Sequence, residues 1–140
     1  METIYGANRC VLYLEDPVEA LNTLDTSRER GITSAIEQFL DSPRGAFSKS
    51  IDTHLWQVRD LNTNTRAFTT WCQNEALNVE LCVVHLIYEK QNERDAFAQC
   101  AAFDAAGAEF QKAFADRTEA EYAEWKSRIK DQAAYRVQFS

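Results

Sequence analysis

Four cationic side chains, Arg59, Arg66, Lys90 and Arg94, fall in residues 44–94, where six basic and six acidic residues cancel. Gathered on one surface they would form a local cationic face; spread apart they would only solvate an exterior. Around them the chain is acidic. Residues 1–43 carry three basic and eight acidic side chains, residues 95–140 carry six and eight, and the whole chain is −7. A uniformly acidic exterior repels phosphate, so nucleic acid would have to meet a locally reversed charge. Other chemistry is sparsely represented. His54 and His85 lack a metal-ligand spacing, and His85 lies in an apolar run, as a hydrogen-bonded core histidine would. Cys10, Cys72, Cys82 and Cys100 contain no C-x-x-C pair and read as small buried apolar residues. No phosphate loop, Ser-His-Asp set or carboxylate pair announces itself, and four scattered glycines do not make a nucleotide cradle.

Positioning any of these groups requires a folded domain. The chain has 140 residues, 45% apolar and 26% charged, which suits one domain with one core and excludes wholesale disorder. The longest apolar run, Cys82–Ile87, is far short of a membrane span, and no basic then apolar leader opens the sequence. The expectation is a soluble, cytoplasmic protein with no membrane partner.

Residues 9–14 read as a short strand. Asp16 as N-cap and Pro17 at the first helical position open a helix carrying Val18, Leu21 and Leu24. Thr26 with Glu29 has the capping-box pattern, before a helix whose apolar face is Ile32, Ala35, Ile36, Phe39 and Leu40. Ser42-Pro43 stops it. His54–Leu61 alternates, Asn62–Thr65 is a turn, and Arg66–Cys72 is a second strand. Val79–Tyr88 is apolar on both faces, as a central strand would be. Short connections make these three an antiparallel meander. A helix from about Arg94 to Phe114 follows, with Phe97, Cys100, Phe103, Gly107, Phe110 and Phe114 stepping by 3, 3, 4, 3 and 4. Thr118 with Glu121 starts a last helix bearing Tyr122, Trp125 and Ile129, and Tyr135–Phe139 is a short strand or docked tail. The fold class is α+β: an N-terminal helix pair and C-terminal helices on a small, mainly antiparallel, twisted sheet. The other sheet face is expected to be open as a binding surface. Gln57 and Arg59 share a face, as do Arg66, Phe68 and Thr70; register decides whether those faces coincide.

In this order the segments resemble the RelE/HigB superfamily of mRNA-cleaving toxins of toxin–antitoxin systems, including a phage-derived branch. The residues that carry the resemblance are Leu55-Trp56-Gln57-Val58-Arg59, Thr65-Arg66-Ala67-Phe68, and Val84-His85-Leu86-Ile87-Tyr88-Glu89-Lys90-Gln91, followed by the helix from Arg94. The resemblance covers about residues 10–115 as a RelE-like core and leaves 116–140 as a C-terminal helical extension within a single domain. It implies an endoribonuclease in which 2′-hydroxyl attack is assisted by clustered cations, each donor worth roughly 2.7–4 kcal/mol of barrier. By position, the resemblance makes Arg59 and Arg66 phosphate clamps, Tyr88 an acid or hydrogen-bond donor, and Lys90 a further electrostatic contributor. It implies no metal and no cofactor, a cognate antitoxin as partner, and mRNA or the ribosome as target. The sequence departs from the pattern at Gln57, Glu89 and Glu93, and in its net charge. The alternative is a non-catalytic interaction protein on the same scaffold (an immunity factor, a phage-encoded inhibitor or a regulator) whose acidic flanks meet a basic protein partner.

Overall fold

The computed structural model describes residues 9–41, 48–132 and 136–139. In chain order these form β1 (Arg9–Tyr13), α1 (Glu15–Thr23), α2 (Thr26–Asp41), β2 (Ser48–Asp52), β3 (Leu55–Arg59), β4 (Thr65–Asn74) and β5 (Val79–Glu89). A short 3₁₀ turn (Lys90–Asn92) leads into α3 (Glu93–Phe97), α4 (Cys100–Ala115), α5 (Glu119–Lys130) and β6 (Arg136–Phe139). The α+β reading holds. The sheet has six strands in the order β2-β3-β4-β5-β1-β6. β2 to β5 form an antiparallel meander, β1 runs parallel to β5, and β6 is antiparallel to β1. The doubly apolar β5 is interior to the sheet, between β4 and β1, because neither of its faces can go to water.

Both sheet faces are covered, which corrects the expectation of an open one. On one face α1 and α2 pack Leu21, Ile32, Ile36 and Phe39 against Val11, Val58, Cys82 and Val84. On the other, α4 and α5 bring Phe114, Trp125 and Ile129 onto Cys10, Leu12, Leu81 and Val83. A smaller cluster at one end of that second face joins Leu55, Phe68 and Tyr88 to Ala96 of α3. Each large apolar side chain removed from water contributes about 1.5–3 kcal/mol.

Several local expectations shift for physical reasons. Leu14, not Asp16, is the N-cap of α1, and Pro17 becomes its third residue. The first-turn N–H groups have no intrahelical acceptor, so proline is tolerated there as well. The cap of α2 is Asp25: its Oδ1 accepts from the Arg28 N–H at 2.9 Å, one residue before the expected Thr26. The Thr118–Glu121 capping box of α5 is present in both directions. The helix expected over 94–114 is two helices. The chain tightens at Ala98–Gln99, where the Gln99 N–H reaches the Ala96 carbonyl, three residues back. That break coincides with the two successive steps of three, Phe97 to Cys100 to Phe103, which outrun an α-helical face. Strand β2, Ser-Lys-Ser-Ile-Asp, is an edge strand whose largely exposed polar residues offered no period-two signal.

One irregularity sets the phase of the site. β4 and β5 pair as Phe68 with Leu86, then Thr69 with Val84. His85 is the extra residue of this β-bulge. Its ring contacts Phe103 and Phe110, and Leu86 packs with Phe68, so both lie on the α4 side of the sheet.

Candidate functional site

The registers bring three of the four candidate residues together. Arg59 pairs with Arg66 across β3 and β4, and Arg66 pairs with Tyr88 across β4 and β5. Gln57 pairs with Phe68 and Phe68 with Leu86 one layer below, so the two faces coincide. Directly opposite residues place their Cβ atoms about 4.5–5.5 Å apart. The result is a row, Arg59–Arg66–Tyr88, at the end of the sheet beside α3. Lys90 is not in the row. It lies just beyond β5, where its N–H meets the Asn64 carbonyl at 2.8 Å, and its side chain is exposed.

Each member of the row has a distinct environment. The Gln57 side-chain N–H donates to the Tyr88 hydroxyl oxygen at 2.6 Å, and both residues are buried. Burial pushes the Tyr88 phenol up to about 12; the Glu93 charge adds to this, while the Gln57 bond and Arg66 oppose it. Tyr88 therefore stays protonated at neutral pH, with its O–H left to donate. The Phe68 ring supports the phenol at 5.0 Å between centroids. Arg66 Nη1 meets Glu93 Oε2 at 2.5 Å, on the first turn of α3. This pairing, rather than one with Asp60 or Glu80, meets the Arg66 charge. Asp60 accepts from the Asn62 N–H and the Thr63 hydroxyl, and Glu80 is engaged by Arg9 and the Trp71 N–H. Arg59 is half-buried, and its Nε is enclosed without a hydrogen-bond partner among the described residues. Like charges directly opposite repel, so the row holds two arginines with one carboxylate to offset them.

Glu89, a departure noted in the sequence, turns to the other face. Its carboxylate accepts from the Thr65 hydroxyl at 3.0 Å and pairs with Arg28 Nε at 3.4 Å. Among the described residues, Glu93 is the acid ion-paired with the row.

Both histidines, Cys10 and Cys72 are engaged in the fold. His85 is 4% exposed, and its Nε2 bonds the Thr70 hydroxyl at 2.8 Å. Burial pulls it down to about 4, so the ring is neutral at pH 7. His54 Nδ1 meets Gln111 Oε1 at 2.6 Å, and its N–H donates to Asp104. None of the four cysteines forms a disulfide; burial pushes Cys10 and Cys72 up to about 12, which leaves them unreactive thiols. No group of three or more His, Cys, Asp or Glu side chains suited to a metal occurs among the described residues. Nor is any helix there long and apolar enough to cross a membrane.

Chemically, the row can grip an anion with two guanidinium forks and donate one phenolic hydrogen bond to it. Glu93 is a proton acceptor within reach of the same place. The sequence reading flagged Glu93 only as an opposing charge, and nothing in the period-two pattern identified it as the Arg66 partner. Compared with known proteins, the chain matches no family model, no curated protein and no solved structure.

Proposed function

We propose that the chain is a RelE/HigB-like endoribonuclease toxin that cleaves mRNA in the cytoplasm and is neutralised by a cognate antitoxin. The observation that carries this reading is the alignment of Arg59, Arg66 and Tyr88 in one cross-strand row. RNA cleavage by the neighbouring 2′-hydroxyl requires a group to take its proton, stabilisation of the crowded phosphorane, and a donor for the departing 5′ oxygen. Arg59 and Arg66 hold the non-bridging oxygens. A phosphate competes with Glu93 for the Arg66 fork, and the freed carboxylate takes the 2′ proton. Tyr88, held protonated by its burial, donates to the leaving oxygen. Lys90, beyond the end of β5, adds long-range attraction for the strand.

The test is induced expression of the wild type beside an Arg59→Ala/Arg66→Ala double variant, followed by purified protein on defined RNA. Wild type is expected to arrest growth with cleaved transcripts, and the variant to do neither. A wild type that leaves cells growing and RNA intact overturns the reading.

A second reading has one observation behind it. Arg66 is already neutralised by Glu93, in a chain of net charge −7. On that reading the protein is a non-catalytic inhibitor or regulator that binds a basic protein. Intact RNA together with salt-sensitive binding of a cationic partner would favour it.

A further inference from the structure

Arg59 belongs to two places at once. At the end of β3 it closes the row on the α4 side, and at that same corner of the sheet it lines a groove of about 460 Å³ between α2 and the β3–β4 turn. That volume is within the roughly 300–1,000 Å³ of small-ligand clefts. The α2 wall is a polar stripe, Arg30, Ser34 and Gln38, recurring every fourth residue and so lying on one helical face. All three are exposed. Beside the stripe, Gly31 lets the turn come close: a Cβ there would sit 2.0 Å from Asp60 Oδ2. The groove is thus built by a residue that only a missing side chain accommodates.

Its charge runs against that of the chain. Its lining holds Arg30, Arg59 and one carboxylate, Asp60, whose oxygens already accept from the Asn62 N–H and the Thr63 hydroxyl. Two cations against one anion give a local +1 in a chain of −7. The Arg59 Nε is enclosed without a hydrogen-bond partner among the described residues. A buried guanidinium N–H in that state gains most from an anionic acceptor.

We propose that this groove is a second phosphate subsite, gripping the RNA backbone next to the phosphate held by the row. The inference rests on the ribonuclease reading and deepens it. Arg59 is shared between adjacent phosphates, Arg30 contacts the outer one, and Ser34 and Gln38 offer hydroxyl and amide groups to the sugar–phosphate edge. The groove supplies affinity and register, and the row supplies the reaction.

The experiment uses the full chain and a short fluorescein-labelled oligoribonucleotide with 2′-O-methyl groups, which binds but has no attacking hydroxyl. Binding is followed by anisotropy across a salt series for wild type, Arg30→Ala, Arg30→Glu and Arg59→Ala/Arg66→Ala. Arg30 is exposed on a helix surface, so a melting curve should confirm an unchanged fold. Arg30→Ala is expected to weaken binding about tenfold. It is also expected to lower the slope of log affinity against log salt by about 0.7, the share of one phosphate on a single strand. Arg30→Glu should weaken binding further. With unmodified RNA, both Arg30 variants should raise KM. Unaltered affinity and slope in both Arg30 variants, with binding lost in the double variant, would overturn the groove and leave the ribonuclease standing. A wild type that neither binds the analogue nor cleaves RNA would overturn the ribonuclease reading itself, and the subsite with it.

Discussion

Two polar clusters share the α4 side of the sheet, a few residues apart on the same strands, and they have opposite characters. One is the row Arg59–Arg66–Tyr88. The other is the network of His54, Thr70, His85 and Gln111. The second contains the residue types usually suspected of acid–base work, yet it is closed on itself. The Thr70 hydroxyl meets both the His54 carbonyl and His85 Nε2 at 2.8 Å, and the Gln111 amide N–H donates to the Trp71 carbonyl. Gly107 seats α4 on it: a Cβ there would be 2.3 Å from Thr70 Oγ1 and 3.0 Å from the His54 carbonyl oxygen. The row has exposed edges, an enclosed guanidinium N–H without a hydrogen-bond partner among the described residues, and a carboxylate that a ligand can displace. Residue type is therefore a poorer guide to a site than whether the hydrogen-bonding capacity is already used up.

Phe68 stands between the two clusters, with its ring 5.3 Å from Phe97 and 6.3 Å from Phe103. Replacing this fully buried ring by alanine should cost about 3–5 kcal/mol in urea unfolding and loosen both clusters together. A loss below about 1 kcal/mol would show that they do not lean on a common ring.

His85 gives the pH signature of the closed cluster. Its folded pKa, about 4, lies below the ordinary 6.5, so the unfolded chain binds the proton more readily. Stability should then be level above pH 7 and fall as pH drops from 6.5 toward 4, by on the order of 3 kcal/mol from this group. Denaturant curves of wild type and His85→Gln, compared across that range, isolate its share. Parallel pH profiles would contradict the burial argument.

Thr70→Val keeps shape but leaves the His54 carbonyl and His85 Nε2 without their hydroxyl partner, and about 1–3 kcal/mol of stability should be lost while, on the ribonuclease reading, RNA cleavage by the folded fraction persists. The smallest effect on stability, and the sharpest contrast, is Arg66→Ala. The pair with Glu93 is partly exposed, at 18% and 36% for the two side chains, so its removal should shift unfolding by no more than about 1 kcal/mol. On the ribonuclease reading, cleavage should nonetheless be lost. Were Thr70→Val to abolish cleavage and Arg66→Ala to spare it, the assignment of roles would be reversed.

Much of the architecture was legible because its signals are local. The doubly apolar run of β5, the Thr118–Glu121 capping box and the 3.6-residue stripe each depend on neighbours in sequence. Edge strand β2 was not legible, since a polar strand paired on one side resembles a loop. Within the site, Arg59 and Arg66 were placed on their own faces by period two. Their alignment needed register, which hydrogen bonding between strands supplies and composition does not. The Glu93 partner was illegible for a related reason: it depends on where the tightened turn after β5 aims the first residues of α3. The covering of the second sheet face was not legible, because the aromatic stripe does not say in sequence which sheet surface it will pack on.

The bulge at His85 decides which side chain the second arginine meets. Counted in twos from Val79, β5 would send Ile87 to the row and hide Tyr88 under α2. The single extra residue inverts that parity, delivering a phenol to the arginines and Glu89 to Arg28 on the opposite face. The chain length between His85 and the end of β5 is therefore a chemical choice as much as a spatial one. One residue inserted between Leu86 and Ile87 would exchange the phenol for the aliphatic Ile87 without replacing a single charged residue. Drift in this lineage is accordingly expected to tolerate substitutions in that short stretch far better than insertions.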